Sequence, residues 1–252
     1  MVDLLKLEHV SKSFESLLAV NEVSFSVEPG QVVGLIGPNG SGKSTLLSLI
    51  AGTLSADSGR ITFDGQDITH RSADQIFQLG LVRSFQDPSL FFRMTVLDNS
   101  LLPVKHQTGE NPVRAPFHRL WSGQESNLAA AAGKTLAELQ LSQHYTARAS
   151  DLSGGQMKLL ELGRSLMGEP KLLLLDEPTA GVAPKLAYTI FEEIERMRQS
   201  LDLTFVIVEH RLEILFDFVD TVYVMHAGSL LAHGTPAEIS ANAEVRVIYF
   251  GE

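Results

Sequence analysis

The stretch that most constrains this chain is Gly37-Pro38-Asn39-Gly40-Ser41-Gly42-Lys43-Ser44-Thr45. It fits the G-x-x-x-x-G-K-[ST] pattern of a phosphate loop. Glycines at 37, 40 and 42 let the backbone take positive φ and approach an anion with no Cβ in the way. Their amides can then turn inward as a nest around the β-phosphate. In this pattern Lys43 reaches the β- and γ-phosphates and the Ser44 hydroxyl is a Mg²⁺ ligand. The flanks agree: Val32 to Ile36 reads as a short buried strand, and Lys43 to Ala51 as a helix closing at Gly52, its N-terminal dipole facing the phosphates. An ordinary Gly-rich turn would not need every fixed position, so the stretch predicts a nucleoside triphosphate site.

Composition narrows what surrounds it. A chain of 252 residues makes one large domain or two small ones. Its formal net charge of −10 argues against nucleic acid as a main partner, since tracking phosphates needs an excess of Lys and Arg. There is no cysteine, which excludes disulfides and thiolate chemistry and suits a reducing compartment. The first residues lack the basic start and apolar core of a signal peptide, and no apolar run approaches the roughly 18 residues of a membrane span. A soluble protein is expected, with any membrane role exercised through a partner.

In chain order, residues 4 to 27 read as antiparallel strands. Phe14 there is either a strand-core aromatic or an adenine-stacking ring. Asp64-Gly65 is a strong hairpin signal. Leu79 to Phe85 reads as a strand delivering Gln86. From Asp87 to about Asp151 the pattern turns helical, with Thr95 as a cap, a Pro/Gly-bearing loop, and an Ala/Leu-rich helix from about Glu125 to Leu141. Leu90, Phe91, Phe92 and Met94 are either core or an exposed patch for a partner. Leu152-Ser153-Gly154-Gly155-Gln156 opens a further helix, and its Gly pair is either a plain cap or an anion-binding helix start.

Lys171 to Glu177 is an apolar run ending in Asp176-Glu177, the pattern of a central parallel strand with a site at its carboxyl end. Two adjacent acids would repel unless a cation and a water divide the work; Asp176 suits Mg²⁺ and Glu177 suits polarising a water. A helix from about Pro184 to Gln199 and a strand from Leu203 to Val208 follow, putting His210 on the same sheet edge. Val222 to Leu231 reads as a hairpin, and Pro236 starts a short helix.

GPNGSGKST (37–45), Gln86, LSGGQ (152–156), LLLLDEP (172–178) and His210 stand in the order and spacing of the ATPase cassette of ABC transporters, which the whole chain resembles. The narrower likeness is to importer ATPases for branched-chain and other hydrophobic amino acids. It is carried by GLVRSFQDPSLFFRMTV (80–96), MKLLELGRSLM (157–167), DEPTAGVAP (176–184) and GTPAEI…YFGE (234–252).

The resemblance implies an α/β P-loop NTPase fold: a RecA-like parallel-sheet core with an antiparallel β subdomain (1–86 and 157–252), and an inserted helical subdomain carrying LSGGQ (87–156). It implies that Phe14 stacks on adenine; that Lys43, Ser44 and Thr45 hold phosphates and magnesium; and that Gln86 contacts Mg²⁺ or the attacking water and senses the membrane subunit. Asp176 would bind magnesium, Glu177 would be the general base, and His210 would reach the γ-phosphate. Ser153, Gly154 and Gly155, with Gln156 completing the motif, would meet the ATP held by an opposite cassette.

The implied partners are two membrane permease subunits, a second and different cassette, and an extracytoplasmic substrate-binding protein, with the chain on the cytoplasmic face of the membrane. Two departures stand out. Gly181-Val182-Ala183 lacks the acid that usually couples the two sites, and Leu159 stands where an arginine is common; both suit this subfamily. Cassettes for urea or short amides, a lipid or lipopolysaccharide exporter, and a soluble non-transport ABC ATPase share the nucleotide site and are the alternatives.

Overall fold

The computed structural model describes residues 3–84 and 90–250, apart from the side chain of Phe250; Gln86 falls outside them. In chain order the elements are β1 (Leu5–Phe14), β2 (Leu17–Val27), β3 (Val32–Ile36), α1 (Lys43–Ile50), β4 (Ser58–Phe63), β5 (Gln66–Asp67), α2 (Ala73–Leu79), β6 (Leu81–Arg83) and α3 (Val96–Leu101). They continue with α4 (Ser122–Glu138), α5 (Gly154–Leu166), β7 (Leu172–Asp176), α6 (Pro184–Leu201), β8 (Thr204–Val208), α7 (Leu212–Leu215), β9 (Thr221–His226), β10 (Ser229–Gly234), α8 (Pro236–Ala241) and α9 (Ala243–Phe250).

Two compact units emerge. The first comprises residues 1–86, 171–180 and 187–252, and the second residues 87–170 and 181–186. The first holds two sheets. One is antiparallel with strand order β2-β1-β4-β5, and the other runs β10-β9-β3-β8-β7-β6. In the larger sheet β6, β7, β8, β3 and β9 are mutually parallel, and β10 pairs antiparallel with β9. Every residue of β3, β7 and β8 is buried, which is why VVGLI, LLLLD and TFVIV are apolar without alternation. Asp176 stands opposite Val208 in the parallel register, so Glu177 and Glu209 leave the sheet side by side.

Local signals account for most boundaries. Asp64 and Gly65 both have positive φ and join β4 to β5 with Phe63 opposite Gln66, the backbone a type I′ hairpin requires. Thr95 Oγ1 accepts the Asp98 amide at 3.0 Å and starts α3. Three helices were absent from the sequence reading: α2, opened by a Ser72–Gln75 capping box, the short α7 after His210, and α9 after the expected α8. Of the apolar run at 90–94, Leu90 is buried while Phe91 and Phe92 are 56% and 50% exposed. The buried Asn99 side chain holds this turn, accepting from the Phe91 amide at 2.8 Å and donating to the Phe91 carbonyl at 3.1 Å.

In the second unit α5 packs with α3 and α4. The sequence reading placed the return to the core at residue 157; in the structure the second unit includes all of α5 and runs on to Pro170. Gly163 lets α5 approach closely here, since a Cβ there would lie 2.6 Å from Leu139 Cδ1, which would have to move aside.

Candidate nucleotide-binding site

The stretch 37–45 crosses from the end of β3 to the start of α1, and two of its glycines are enforced by contact. A Cβ on Gly42, at φ 101°, would sit 2.3 Å from the Ala19 carbonyl oxygen; one on Gly37 would sit 2.3 Å from that of Met225. Neighbouring backbone pins the loop further: the Gly228 amide donates to the Ser41 carbonyl at 3.1 Å. Lys43 is buried and folds back, donating to the Gly37 carbonyl at 2.7 Å and the Pro38 carbonyl at 3.0 Å. Burial lowers the pKa of its ammonium, while the Glu177 and Asp176 carboxylates pull it upward. A buried cation whose hydrogen-bond partners among the described residues are carbonyl oxygens is suited to an anion.

This loop forms the floor of an open cavity of about 490 Å³. Phe14, Leu17, Leu18 and Ala19 from the β1–β2 hairpin, Ala227-Gly228 from the β9–β10 turn, and Glu177 and His210 from the sheet edge complete its wall. Phe14 is therefore not a core aromatic. The residue is 42% exposed, with Lys12 Nζ 5.8 Å from the ring centroid and Lys12 itself paired to Asp57 at 2.6 Å.

At the sheet edge Glu177 takes a φ of 51°, uncommon for a residue other than glycine, and its amide donates to the Val208 carbonyl at 2.9 Å. That backbone turns its carboxylate toward His210, whose Nε2 is 3.1 Å from Glu177 Oε1. Asp176 is buried and its Oδ2 accepts from Arg83 Nη2 at 3.0 Å. Ser44, on the first turn of α1, and Asp176, at the end of β7, offer hydroxyl and carboxylate oxygens, the donor chemistry that Mg²⁺ prefers.

Three contributors escaped the sequence reading. Glu209 is 3% exposed. Its Oε1 accepts from the Thr179 amide at 2.9 Å and from the Thr179 hydroxyl, and its Oε2 accepts from the His210 and Arg211 amides at 2.9 and 3.4 Å. One carboxylate thus ties the turn after Glu177 to the turn carrying His210. Tyr249 on α9 hydrogen-bonds with the Gly37 backbone, and burial pushes its phenol pKa above the ordinary value. Arg83 is the third. Of these only Glu209 carried a signal, as an acid beside a histidine at a strand's end.

In the second unit Ser153 caps α5. Its Oγ accepts from the Gln156 amide at 3.4 Å, and Gln156 Oε1 accepts from the Ser153 amide at 2.8 Å, a reciprocal capping box. Gln156 Nε2 lies 2.9 Å from His144 Nε2. A Cβ on Gly155 would overlap Leu186 Cδ2 at 2.0 Å, whereas one on Gly154 would meet nothing within 4 Å. The open helix start at Gly154 is thus not explained by packing.

A phosphate loop on a parallel sheet, facing an aspartate–glutamate pair and a histidine, defines a P-loop nucleotide-hydrolysing protein. Residues 20–180 match the family model described as ABC transporter, and residues 229–252 match the model described as Branched-chain amino acid ATP-binding cassette transporter. The chain belongs to the ABC transporter family, as one of its ATP-hydrolysing cassettes. It is 42% identical over 255 residues to the probable branched-chain amino acid transport ATP-binding protein LivG of Methanocaldococcus jannaschii, covering 100% of this chain and 98% of that one. It is 35% identical over 254 residues to the high-affinity branched-chain amino acid transport ATP-binding protein LivG of Escherichia coli K12, covering 99% and 98%. Among solved structures, a nucleotide-free ATP-binding cassette from an ABC transporter superposes with a TM-score of 0.86 at 41% identity over 100% of both chains.

Proposed function

We propose that this chain hydrolyses ATP to drive uptake of branched-chain or other hydrophobic amino acids through separate membrane permease subunits, working from the cytoplasmic face of the membrane. Its further partners are a second, different cassette and an extracytoplasmic substrate-binding protein. No helix among the described residues is long and apolar enough to cross a membrane, which accords with a permease formed by other chains. The names of the relatives support the cargo class.

The observation that carries the chemistry is the Glu177 carboxylate on the cavity wall, 3.1 Å from His210 Nε2 and in the same cavity as the phosphate loop. Glu177 acts as general base, accepting a proton from the water that attacks the γ-phosphate. His210 orients that carboxylate and reaches the γ-phosphate. Phe14 stacks on adenine, and the amides of Gly37 through Thr45, with Lys43, hold the phosphates. Ser44, Asp176 and Gln86 are the magnesium ligands, the last lying outside the described residues; magnesium would neutralise charge on the β- and γ-phosphates. Ser153, Gly154, Gly155 and Gln156 serve the ATP of the opposite cassette, and Phe91-Phe92 face the permease.

The test is Glu177→Gln, tagged and purified from solubilised membranes in Mg-ATP. Retained ATP binding, a rate reduced on the order of 10²–10⁴-fold, and two polytopic proteins with a second cassette in the eluate are expected. Wild-type turnover would sink the general-base assignment, and an eluate of soluble partners alone would overturn the transport role.

A further inference from the structure

Arg83 ends β6, and the parallel register that sets it beside Leu174 sends its side chain toward the end of β7. Its Nη2 donates to Asp176 Oδ2 at 3.0 Å, and its Nη1 donates to Ser48 Oγ at 2.8 Å. Ser48 Oγ in turn donates to the Ser44 carbonyl at 2.7 Å. The guanidinium thus spans the two elements that carry the proposed magnesium ligands, Asp176 on β7 and Ser44 on α1. Both charged side chains are well covered, at 13% and 7% exposure, and Arg83 does not line the nucleotide cavity. Its charge is spent on Asp176. A carboxylate this buried needs a countercharge, and here an arginine supplies it.

We infer that Arg83 is the resident countercharge of Asp176, a positioning residue that holds the magnesium-side carboxylate in place and competes with a divalent ion for it. This rests on the reading of Asp176 as a magnesium ligand. Arg83 keeps the end of β7 ordered between turnovers and weakens divalent binding when no nucleotide is present. An arginine serving only as a structural strut would affect stability without affecting ion affinity.

The experiment titrates Mn²⁺ alone into the nucleotide-free protein, read by paramagnetic resonance, with thermal midpoints taken in parallel. Arg83→Gln removes a unit charge beside the carboxylate and should tighten Mn²⁺ binding at least about tenfold. Its midpoint should fall without metal and recover toward wild type as Mn²⁺ is added. Arg83→Lys, which keeps the charge, should bind Mn²⁺ as the wild type does. Unchanged or weaker binding in Arg83→Gln overturns the inference. If Arg83→Gln does not fold, Arg83→Gln/Asp176→Asn should restore folding by removing the orphaned carboxylate, and its failure to do so equally overturns the inference. Asp176→Asn separates the two readings: Mn²⁺ binding at wild-type strength in that variant would refute Asp176 as a ligand, whatever Arg83 does.

Discussion

His210 Nε2 stands 3.1 Å from Glu177 Oε1, across the ends of two adjacent parallel strands. Glu177 reaches this contact only through its left-handed backbone, so the pair is set by the turn as much as by the side chains. His210→Ala removes a hydrogen bond to a charged partner, about 1.5–3 kcal/mol, and should lower kcat roughly ten- to hundredfold. ATP affinity, measured with a fluorescent nucleotide analogue, should stay near wild type. Unchanged kcat would detach His210 from the reaction.

Two glycines of the phosphate loop should respond differently to alanine. At Gly42 the new Cβ meets the Ala19 carbonyl at 2.3 Å, whereas at Gly40, φ 78°, it meets nothing within 4 Å. Gly40→Ala should cost about 1–2 kcal/mol for its left-handed backbone alone. Gly42→Ala adds an overlap with backbone that cannot move aside, and should cost more and weaken ATP binding further. Urea midpoints and ATP titrations on both variants make the comparison.

Glu209 accepts from three amides and one hydroxyl while almost fully buried. Glu209→Gln turns one accepting oxygen into a donor and leaves a buried N–H unsatisfied, a loss of about 1–3 kcal/mol. Because the same oxygens hold the His210 turn, kcat should fall alongside stability. A variant with a normal urea midpoint and normal turnover would show the carboxylate to be dispensable.

Tyr249 gives stability an alkaline limit. Its phenol stays neutral in the folded protein above the ordinary value of 10.0, because burial opposes the charged form and outweighs the hydrogen bond with the Gly37 backbone, which acts the other way. The unfolded chain loses that proton first, so above about pH 10 it binds fewer protons than the folded chain and stability falls as pH rises. Tyr188 and Tyr223 shift the same way, so the decline should be reduced in Tyr249→Phe, not abolished. Urea midpoints between about pH 8.5 and 11 test this; parallel curves for the two proteins would refute it.

Most of the architecture was legible because its signals are local. The apolar runs of β3, β7 and β8, the Asp64-Gly65 turn, the Thr95 cap and the helix start at Ser153-Gly154-Gly155 each act within a few residues. What stayed hidden depended on distant partners. Phe14 could be read as core or as ligand-facing until the fold left its ring on the cavity wall. The allegiance of α5 depended on its packing with α3 and α4. Arg83, in the middle of a strand-like run, has no local pattern that distinguishes it from a surface arginine.

The sequence by itself determined the phosphate loop, the paired acids at a strand's end and the order of elements, since backbone freedom at glycine and apolar periodicity are properties of neighbouring residues. Tertiary structure decided which charges face one another: Arg83 with Asp176, Glu209 with Thr179 and His210, Tyr249 with Gly37. Those pairings follow from strand register and helix docking, which bring together residues far apart in the chain, and burial then makes each unpaired alternative costly.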